Sequence, residues 1–525
     1  MRTPNKIIAK AAGIIALTAL ISRLLGFARD WFIYTRFGES YYTDAYNVAF
    51  SVPDFIYMLL IGGALSSAFI PVFSSYLATD REEDSWKMAS VVLNYTMLAL
   101  IVFICLAFMY AHPLLNLLAP KLPLYYHNLA VFLTRVMFVQ CFFMALNGLA
   151  LGVLNSYNHF TTPALGGIIY NLGIIVVGVA FMDKIGIVAF AYGVVVGAFL
   201  NFMVQLPALL RVGLKYYPSL DYNNEGFKQI AILTIPVLIG LSVSQFNLFI
   251  SQYLASGLAP GSITALSIAQ RIMQLPLGIF AMSIAMAVFP TLTAQAARGE
   301  HEDFKRTLSL GLRGIFFVTL PSTAGLLAIG EPTIRLMFEW KSFTPAHTLA
   351  TAHALVYYSL GLFAYSALLV LNRVYYALKD TITPVSVAIA TIVLNVTLSF
   401  LLVGPLSHLG LALAYSLAGI FNMLLLTFIL RLRLGGIDGR KILSSLGLSL
   451  IISTLMYLVV KGTVNLLISI LSFSTRIDEL IAVVAAVLLG VLFYAGASLA
   501  LGMEEAVMVK NMLARRFPDY WSRLT

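Results

Sequence analysis

Apolar runs long enough to cross a lipid bilayer recur along the whole of this sequence. A helix needs about twenty apolar residues to cross about 30 Å of hydrocarbon. Only 11% of the residues are charged, whereas about a quarter are charged in soluble proteins. The sequence therefore predicts an all-α polytopic membrane protein with about 14 transmembrane helices and no soluble domain. The expected spans are 7-33, 44-74, 87-111, 125-152, 162-182, 186-209, 228-255, 263-291, 305-328, 347-374, 383-403, 408-430, 441-461 and 479-502.

The distribution of lysine and arginine predicts the orientation of these spans. If the N-terminus is cytoplasmic, 21 basic residues fall on the cytoplasmic side and 7 on the other side, which accounts for all but 5 of the 33. An excess of basic residues in cytoplasmic loops is typical of membrane proteins. We therefore expect both termini in the cytoplasm, and we interpret the net charge of +10 as a topology signal rather than as nucleic-acid binding.

The chain repeats itself at an offset of about 220 residues. Pro71, after Ala-Phe-Ile, corresponds to Pro290, after Ala-Val-Phe, and Thr162-Pro163 corresponds to Thr383-Pro384. The shared offset predicts two six-helix lobes, 1-218 and 219-434, followed by an additional helix pair and tail at 435-525. An even number of spans in each lobe makes the repeats parallel, which is typical of transporters with a central cavity.

Two arginines follow a nearly uncharged run in the first span. Arg23 and Arg29 stand in Ser-Arg-Leu-Leu-Gly-Phe-Ala-Arg-Asp, which ends at Asp30. A charge at the bilayer centre costs roughly 2.5 to 3.5 kcal/mol, so these side chains need a partner or an anionic ligand. Their six-residue spacing turns them about 120° apart on a regular helix, and a break at Gly26 would bring them together. The alternative for Arg29 is that it extends to the interface and pairs with Asp30.

Polar stripes mark two spans that correspond in the repeat. The second span carries Asp44, Asn47, Ser51 and Asp54 on one helical face, and the eighth carries Thr264, Ser267, Arg271 and Gln274 at the same spacing. Prolines at Pro53 and Pro276 are expected to kink these helices. Asp44 in a loop, or Ser51 and Thr264 bonded to their own helix, would be structural alternatives. We interpret Arg135 and Arg313, nearer the span edges, as interface anchors.

Arginine-rich cavities suit phosphate or pyrophosphate, because a guanidinium forms paired, charge-assisted hydrogen bonds and stays ionised. Metal-ligand spacings, Walker loops and nucleotide fingerprints are not found in the sequence. A transferase that acts on polyprenyl phosphates, with Asp44 as its acid or base, is a remote alternative to a transporter. The last two spans are uncharged at 442-460 and 480-501, and form either packing helices or an apolar wall for a lipid chain.

Four segments of the sequence together resemble the MurJ family of lipid II flippases. They are the arginine motif that ends at Asp30, the tripeptide Thr43-Asp44-Ala45, the segment 63-71 and the segment 269-276. The resemblance implies the fold of the multidrug/oligosaccharidyl-lipid/polysaccharide exporter superfamily. It also implies a bacterial inner-membrane protein that moves undecaprenyl-pyrophosphate-linked peptidoglycan precursor to the outer leaflet by alternating access. Arg23, Arg29 and Arg271 would then hold the pyrophosphate, and Asp44 would match the acid of the family's second helix.

The sequence departs from the family pattern at some positions. Tyr57 and Gly62 stand where many relatives have an arginine and a glutamate, and Gln274 stands where a glutamate often follows the arginine. The positions nearest the sodium site of some relatives are Asn247 and Ser399, which makes a sodium site doubtful. A coupling ion and the membrane potential are both candidate energy sources.

The hypothesis from the sequence is therefore a lipid II flippase without covalent chemistry, cofactor or metal. Its partners are expected to be lipid II, membrane lipids and the cell-wall synthesis machinery. An exporter of another polyprenyl-linked glycan and a drug/cation antiporter of the same superfamily are the alternatives. An antiporter is expected to use acids for a cationic substrate, whereas three arginines favour an anion. The expected substrate-binding residues are Arg23, Arg29, Arg271, Asp44, Asn47, Ser51, Asp54, Ser267 and Gln274.

Overall fold

The computed structural model describes residues 4–59, 68–471 and 476–516, and in these ranges the chain is helical between short turns. Within these described ranges, ten helices are long and apolar enough to cross a membrane, or eleven if the pair Pro345–Ser359 and Leu362–Ala377, bent by 43°, counts as one span. The predicted all-α polytopic class is confirmed, but the count of fourteen is not. The expected runs at 7-33, 44-74 and 228-255 are not among the ten, and residues 60–67 of the second lie outside the described residues.

The helices fall into two compact units that divide between residues 264 and 265, with 340–343 belonging to the first unit. The first unit contains α1 (Pro4–Phe37), α2 (Tyr41–Tyr57), α3 (Ile70–Ala78), α4 (Glu82–Met109), α5 (Ala111–Leu118), α6 (Leu124–Ser156), α7 (Thr161–Ile185), α8 (Val188–Arg211), α9 (Glu225–Ala255) and the start of α10 (Ser262–Pro276). The lobes predicted from the repeat stay a prediction.

The second unit continues from the rest of α10 to the C-terminus. It contains a π-helical turn (Leu277–Ala281), α11 (Met282–Arg298), α12 (His301–Phe338), α13 (Pro345–Ser359), α14 (Leu362–Ala377), α15 (Ile382–Leu406), α16 (His408–Leu434), α17 (Gly439–Leu471), α18 (Arg476–Ala500) and α19 (Glu504–Arg516). Its packed interior lies between α11, α12, α14 and α16, while α17 and α18 pack on another part of α12.

Small residues and helix caps explain how the first unit is held together. A Cβ on Gly173 would lie 2.6 Å from the Cα of Gly197, so α7 and α8 approach more closely than larger side chains allow. Close backbone approach at glycines is the usual way in which membrane helices associate. Ser40 starts α2 with a capping box, in which its backbone N–H donates to the Thr43 hydroxyl at 3.0 Å. The capping box fixes where α2 begins, and α2 carries the acidic polar stripe.

Candidate substrate-binding residues

The first helix carries both predicted arginines, and they have different surroundings. Arg23 is exposed, whereas the Arg29 side chain is only 13% exposed and its Nη2 lies 2.9 Å from Oδ1 of Asp30. Arg29 Nε donates to the same oxygen at 3.1 Å. Helix α1 is α-helical through Gly26, so the angular separation of the arginines is that of a regular helix. A hinge at Gly26 stays a prediction, and Arg29 has the acidic partner that the sequence offered as its alternative.

Asp44 is held by the beginning of α10. Its side chain is buried, and it accepts hydrogen bonds from Gly261 N at 2.7 Å, Thr264 N at 2.9 Å and Thr264 Oγ1 at 2.8 Å. The first N–H groups of a helix have no partner within the helix, and the helix dipole favours a negative charge there. Asp44 therefore caps α10 from another helix, which is a structural role sufficient to explain its burial.

The next two residues of the stripe also contact the protein. Asn47 donates from Nδ2 to Thr264 Oγ1 at 3.2 Å and accepts from the Tyr34 hydroxyl at 3.1 Å. Ser51 lies 3.0 Å from Gln252 Oε1 and 2.7 Å from the carbonyl of Val48. The stripe is thus a line of contacts from α2 to α1, α9 and the start of α10. Substrate binding by Asn47 and Ser51 stays a prediction.

Asp54 continues the stripe into a small polar cavity of the first unit. The cavity has a volume of about 120 Å³ and is lined by Asp54, Tyr57, Gln140, Met144, Asn147, Leu151, Pro163, Gly167, Tyr170 and Asn201. The Tyr170 hydroxyl donates to Gln140 Oε1 at 3.1 Å, and Gln205 donates to Asn147. The preceding residue, Pro53, lies inside α2, and its carbonyl accepts from the Cys141 thiol at 3.7 Å. Asp54 therefore lies among neutral amides and phenols.

The basic stripe of α10 lies in the second unit. Ser267 and Arg271 are half-buried, and Gln274 is exposed. Pro276 is the last residue of α10, and the chain continues as a π-helical turn over Leu277–Ala281. A proline removes one helical hydrogen bond, and π-helical turns occur often at functional sites. The helix thus changes its hydrogen-bond pattern one turn after Arg271.

Arg313 is not the interface anchor that its position suggested. Its side chain is 7% exposed, its Nε lies 2.5 Å from Glu505 Oε1, and its Nη2 lies 2.6 Å from Glu504 Oε2. Ser445 donates a further hydrogen bond to Glu505 Oε1 at 3.0 Å. The prediction was wrong because it considered only the distance from the span edge, whereas the acids that pair with Arg313 come from α19, far along the chain. Arg135, in contrast, is half-buried and donates to the Phe108 carbonyl at 3.1 Å.

An apolar groove of about 680 Å³ runs along α12, α17 and α18. Phe317, Pro321 and Ile329 of α12 form one wall, and Val460 and Val491 belong to the facing helices. The two uncharged final spans therefore do more than pack against each other. They form an apolar surface of the kind expected for a lipid chain.

Comparisons with known proteins agree on one family. The family model described as "Lipid II flippase MurJ" matches residues 33–477. The chain belongs to the MurJ lipid II flippase family. A "Probable lipid II flippase MurJ" of Buchnera aphidicola is 30% identical over 79% of this chain and 82% of the relative. One from Bdellovibrio bacteriovorus is 28% identical over 97% of this chain and 98% of its own length.

The solved structures agree with this assignment. A structure described as "Lipid II flippase MurJ, inward closed conformation" has a TM-score of 0.78 and 28% identity, and covers 93% of this chain and 99% of its own. An inward-facing MATE family transporter has a TM-score of 0.66 at 14% identity, which shows a shared fold alone. The predicted family, and with it a multi-pass membrane transporter rather than an enzyme, is confirmed.

The family model covers only part of the predicted site. The family match begins at residue 33 and ends at residue 477, so it covers Asp44 and Arg271 but not Arg23, Arg29 or α19.

Sequence reasoning also missed the polar lining of the first unit's cavity, including Gln140, Asn147 and Tyr170. Gln140 and Asn147 are seven residues apart and thus on one face of α6, and that spacing was the available signal.

Proposed function

We propose that this chain moves lipid II from the inner to the outer leaflet of the bacterial inner membrane by alternating access. The observation that carries the proposal is the match to a lipid II flippase structure over 93% of this chain with a TM-score of 0.78. The transport step makes and breaks no covalent bond. The apolar chain stays in the membrane while the headgroup crosses. The headgroup needs the protein for this step, because a charged pyrophosphate is costly in hydrocarbon.

Arg23, Arg29 and Arg271 are proposed to hold the pyrophosphate. Guanidinium groups stay ionised and form paired hydrogen bonds with phosphate oxygens, which a single lysine does not. Arg29 approaches the ligand with part of its charge already balanced by Asp30, since the two side chains lie 2.9 Å apart. Arg23 is exposed and Arg271 is half-buried, so both have access to a ligand. We therefore expect Arg23, the more exposed arginine of α1, to contribute more binding energy than Arg29.

The polar stripe of α2 is proposed to support the site as well as to bind substrate. Asp44, Asn47 and Ser51 contact neighbouring helices through their polar atoms, whereas Asp54 lines the cavity of the first unit. Ser267 and Gln274 flank Arg271 on α10 and are suited to hydrogen-bond the sugar or phosphate groups. Gly26, Pro53 and Pro276 are the proposed hinge positions.

The apolar groove of the second unit is proposed to hold the polyprenyl chain. Its walls are formed by Phe317, Pro321, Val460 and Val491, which present hydrocarbon surface to the groove. Burial of apolar surface contributes about 25 cal/mol per Å², so a long chain gains binding energy without a specific polar contact. The groove thereby keeps the lipid tail beside the protein while the headgroup crosses.

Orientation and energy source are part of the same proposal. The 21 to 7 distribution of basic residues supports cytoplasmic termini. The membrane potential acts on the charge of the substrate and of the arginines, at about 2.3 kcal/mol per charge for each 100 mV. We propose that the membrane potential drives transport, with a coupling ion as the alternative energy source. Transport is proposed to need no cofactor, and cell-wall synthesis enzymes are the proposed partners.

A rescue experiment tests the proposed function. In a bacterium depleted of its own flippase, we expect this gene to restore growth and the exposure of lipid II on the outer leaflet. Arg271→Ala is expected to lower the rate of exposure at least tenfold, because one paired guanidinium-phosphate contact is worth more than about 1.4 kcal/mol. Arg298→Ala, which removes an exposed arginine at the end of α11, is the matched control.

The outcomes of this experiment separate the function from the site. Failure of the intact gene to restore lipid II exposure would refute the function. Normal exposure with Arg271→Ala would refute the site assignment and leave the function standing. Rescue of drug efflux without lipid II exposure would favour the antiporter, and export of another polyprenyl-linked glycan would favour the related exporter.

A further inference from the structure

A basic pocket lies at the start of α17 in the second unit, outside the three proposed arginines. It has a volume of about 310 Å³, and its lining includes Arg440, Lys441 and Ser444 of α17 together with Arg313, Glu504 and Glu505. Arg440, Lys441 and Ser444 are exposed. The pocket therefore combines accessible cationic and hydroxyl groups with a buried ion cluster.

The acids of this pocket are already occupied by Arg313. Glu505 lies 2.5 Å from Arg313 Nε, and Glu504 lies 2.6 Å from Arg313 Nη2. Lys441 and Arg306 lie close enough to Glu504 to help lower its pKa, after the larger effect of Arg313. The pocket lining and Arg306 beside it thus contain four cations, Arg306, Arg313, Arg440 and Lys441, and two carboxylates, which leaves an excess of two positive charges. That excess matches the charge of a pyrophosphate diester.

The first turn of α17 places two cations at a helix N-terminus, and Asp438 directly precedes this turn. Acidic residues are absent from its first turn, which instead contains Arg440 and Lys441. The N-terminal end of a helix carries partial positive charge and favours anions, so two cations there are unfavourable on their own. A bound anion would remove this conflict. The helix end and the charged side chains thus favour the same kind of ligand.

The basic pocket and the apolar groove share the same helices. Arg313 lines the pocket, and Phe317, Pro321, Gly325 and Ile329 follow it along α12 at intervals of four residues and line the groove. Residues spaced by four form one continuous ridge on a helix. At about 1.5 Å per residue this ridge extends for about 24 Å. Helices α17 and α19 also contribute residues to both. One end of this surface is cationic and the rest is apolar.

We propose that the pocket and the groove together form a loading site for one polyprenyl-pyrophosphate lipid of the cytoplasmic leaflet, with the pyrophosphate on Arg440 and Lys441. The proposal rests on the proposed function, because that function supplies the lipid and the cytoplasmic orientation. It adds a second phosphate-binding position, separate from Arg23, Arg29 and Arg271. The lipid binds there before its headgroup passes to the three arginines.

Photo-crosslinking tests the loading site. The full-length protein is placed in phosphatidylcholine nanodiscs with an undecaprenyl pyrophosphate analogue that carries a photoreactive group near the pyrophosphate. We expect labelling within residues 439–448, and we expect the double variant Arg440→Gln/Lys441→Gln to reduce it about tenfold, because both charge-assisted contacts are lost. The matched control, Lys379→Gln/Arg431→Gln, removes two exposed cations and should label like the parent protein. An unchanged midpoint of thermal unfolding shows that the double variant is folded.

Each alternative result has a defined meaning. Unchanged labelling of 439–448 in the double variant, or labelling confined to other segments, would overturn the loading site. Suppression of the labelling by equimolar phosphatidylglycerol would assign the pocket to a resident phospholipid and also overturn it. Suppression by inorganic pyrophosphate alone, at the same concentration as the analogue, would show that the apolar groove plays no part. Because the rescue of depleted cells tests the proposed function separately, a failed rescue with intact labelling counts against the function alone.

Discussion

Each unit of this protein contains a buried carboxylate that joins two of its own helices. The groups that stabilise the two carboxylates are chemically different. Asp44, 2% exposed, accepts three hydrogen bonds from neutral groups at the start of α10. Glu505, 8% exposed, faces the guanidinium of Arg313 and the hydroxyl of Ser445. A helix end stabilises the first carboxylate, and a full positive charge stabilises the second.

The difference determines what happens when one partner is removed. Loss of Asp44 leaves neutral N–H groups, which cost free energy but carry no net charge. Loss of Arg313 leaves the buried carboxylate of Glu505 without its cation, and an unpaired buried charge costs much more than an unpaired amide. We therefore expect the second unit to be more sensitive than the first to a single substitution in its carboxylate cluster.

The largest effect is expected from Arg313→Met. The substitution keeps an unbranched apolar side chain but leaves Glu505 without its cation, so the free energy of unfolding should fall by about 3 to 5 kcal/mol. The measurement is the denaturation curve in detergent micelles. Arg135→Met is the matched control, since Arg135 is half-buried and donates to the neutral carbonyl of Phe108.

A double substitution sharpens this result. Arg313→Met/Glu505→Gln removes both buried charges, so it should be less destabilising than Arg313→Met alone by about 1 to 3 kcal/mol. If the two single losses simply add, Arg313 and Glu505 are not coupled, and the comparison between the two units fails.

The next effect in size is expected from Asp44→Ala. It leaves the N–H groups of Gly261 and Thr264 without their acceptor, and the free energy of unfolding should fall by about 2 to 3 kcal/mol. Asp221→Ala, in an exposed loop, is the control for loss of an aspartate. A fall in lipid II exposure with unchanged stability would contradict the capping role and favour substrate binding by Asp44.

The sequence allowed the fold class to be predicted but not these partners. Apolar runs of membrane length identify helices because the period and the bilayer thickness are local constraints. The stripe of Asp44, Asn47 and Ser51 was also visible, because residues three and four apart share a helical face. The residues that meet this stripe could not be predicted, since Gly261 lies 217 residues from Asp44.

The same limit applies to Arg313 in the second unit. Its partners lie 191 and 192 residues away in α19. A single sequence without an alignment gives no signal that joins such distant positions. The apolar groove was easier to anticipate, because uncharged final helices are a property of one continuous segment.

A smaller effect is expected from Ser51→Ala. It removes the hydroxyl that lies 3.0 Å from Gln252 Oε1 of α9 and 2.7 Å from the Val48 carbonyl of its own helix. The free energy of unfolding should fall by about 1 kcal/mol. Ser75→Ala is the control, because the Ser75 hydroxyl bonds only to the Val72 carbonyl of its own helix. Equal effects of the two substitutions would show that the contact between α2 and α9 contributes no more than a bond within one helix.

The smallest effect is expected from pH, through Glu504. Hydrogen bonding to Arg313 lowers the pKa of Glu504 from its ordinary value of 4.5. A carboxyl group with a lowered pKa stabilises the folded state above its unfolded pKa, and this stability is lost as the pH falls through the folded pKa. Hydrogen exchange of the α19 amides should therefore become faster, relative to the intrinsic rates, only below about pH 4.5. Glu504→Gln should remove most of this pH dependence. If it does not, the pH dependence does not arise from Glu504, and the pairing of Glu504 with Arg313 is not what holds α19.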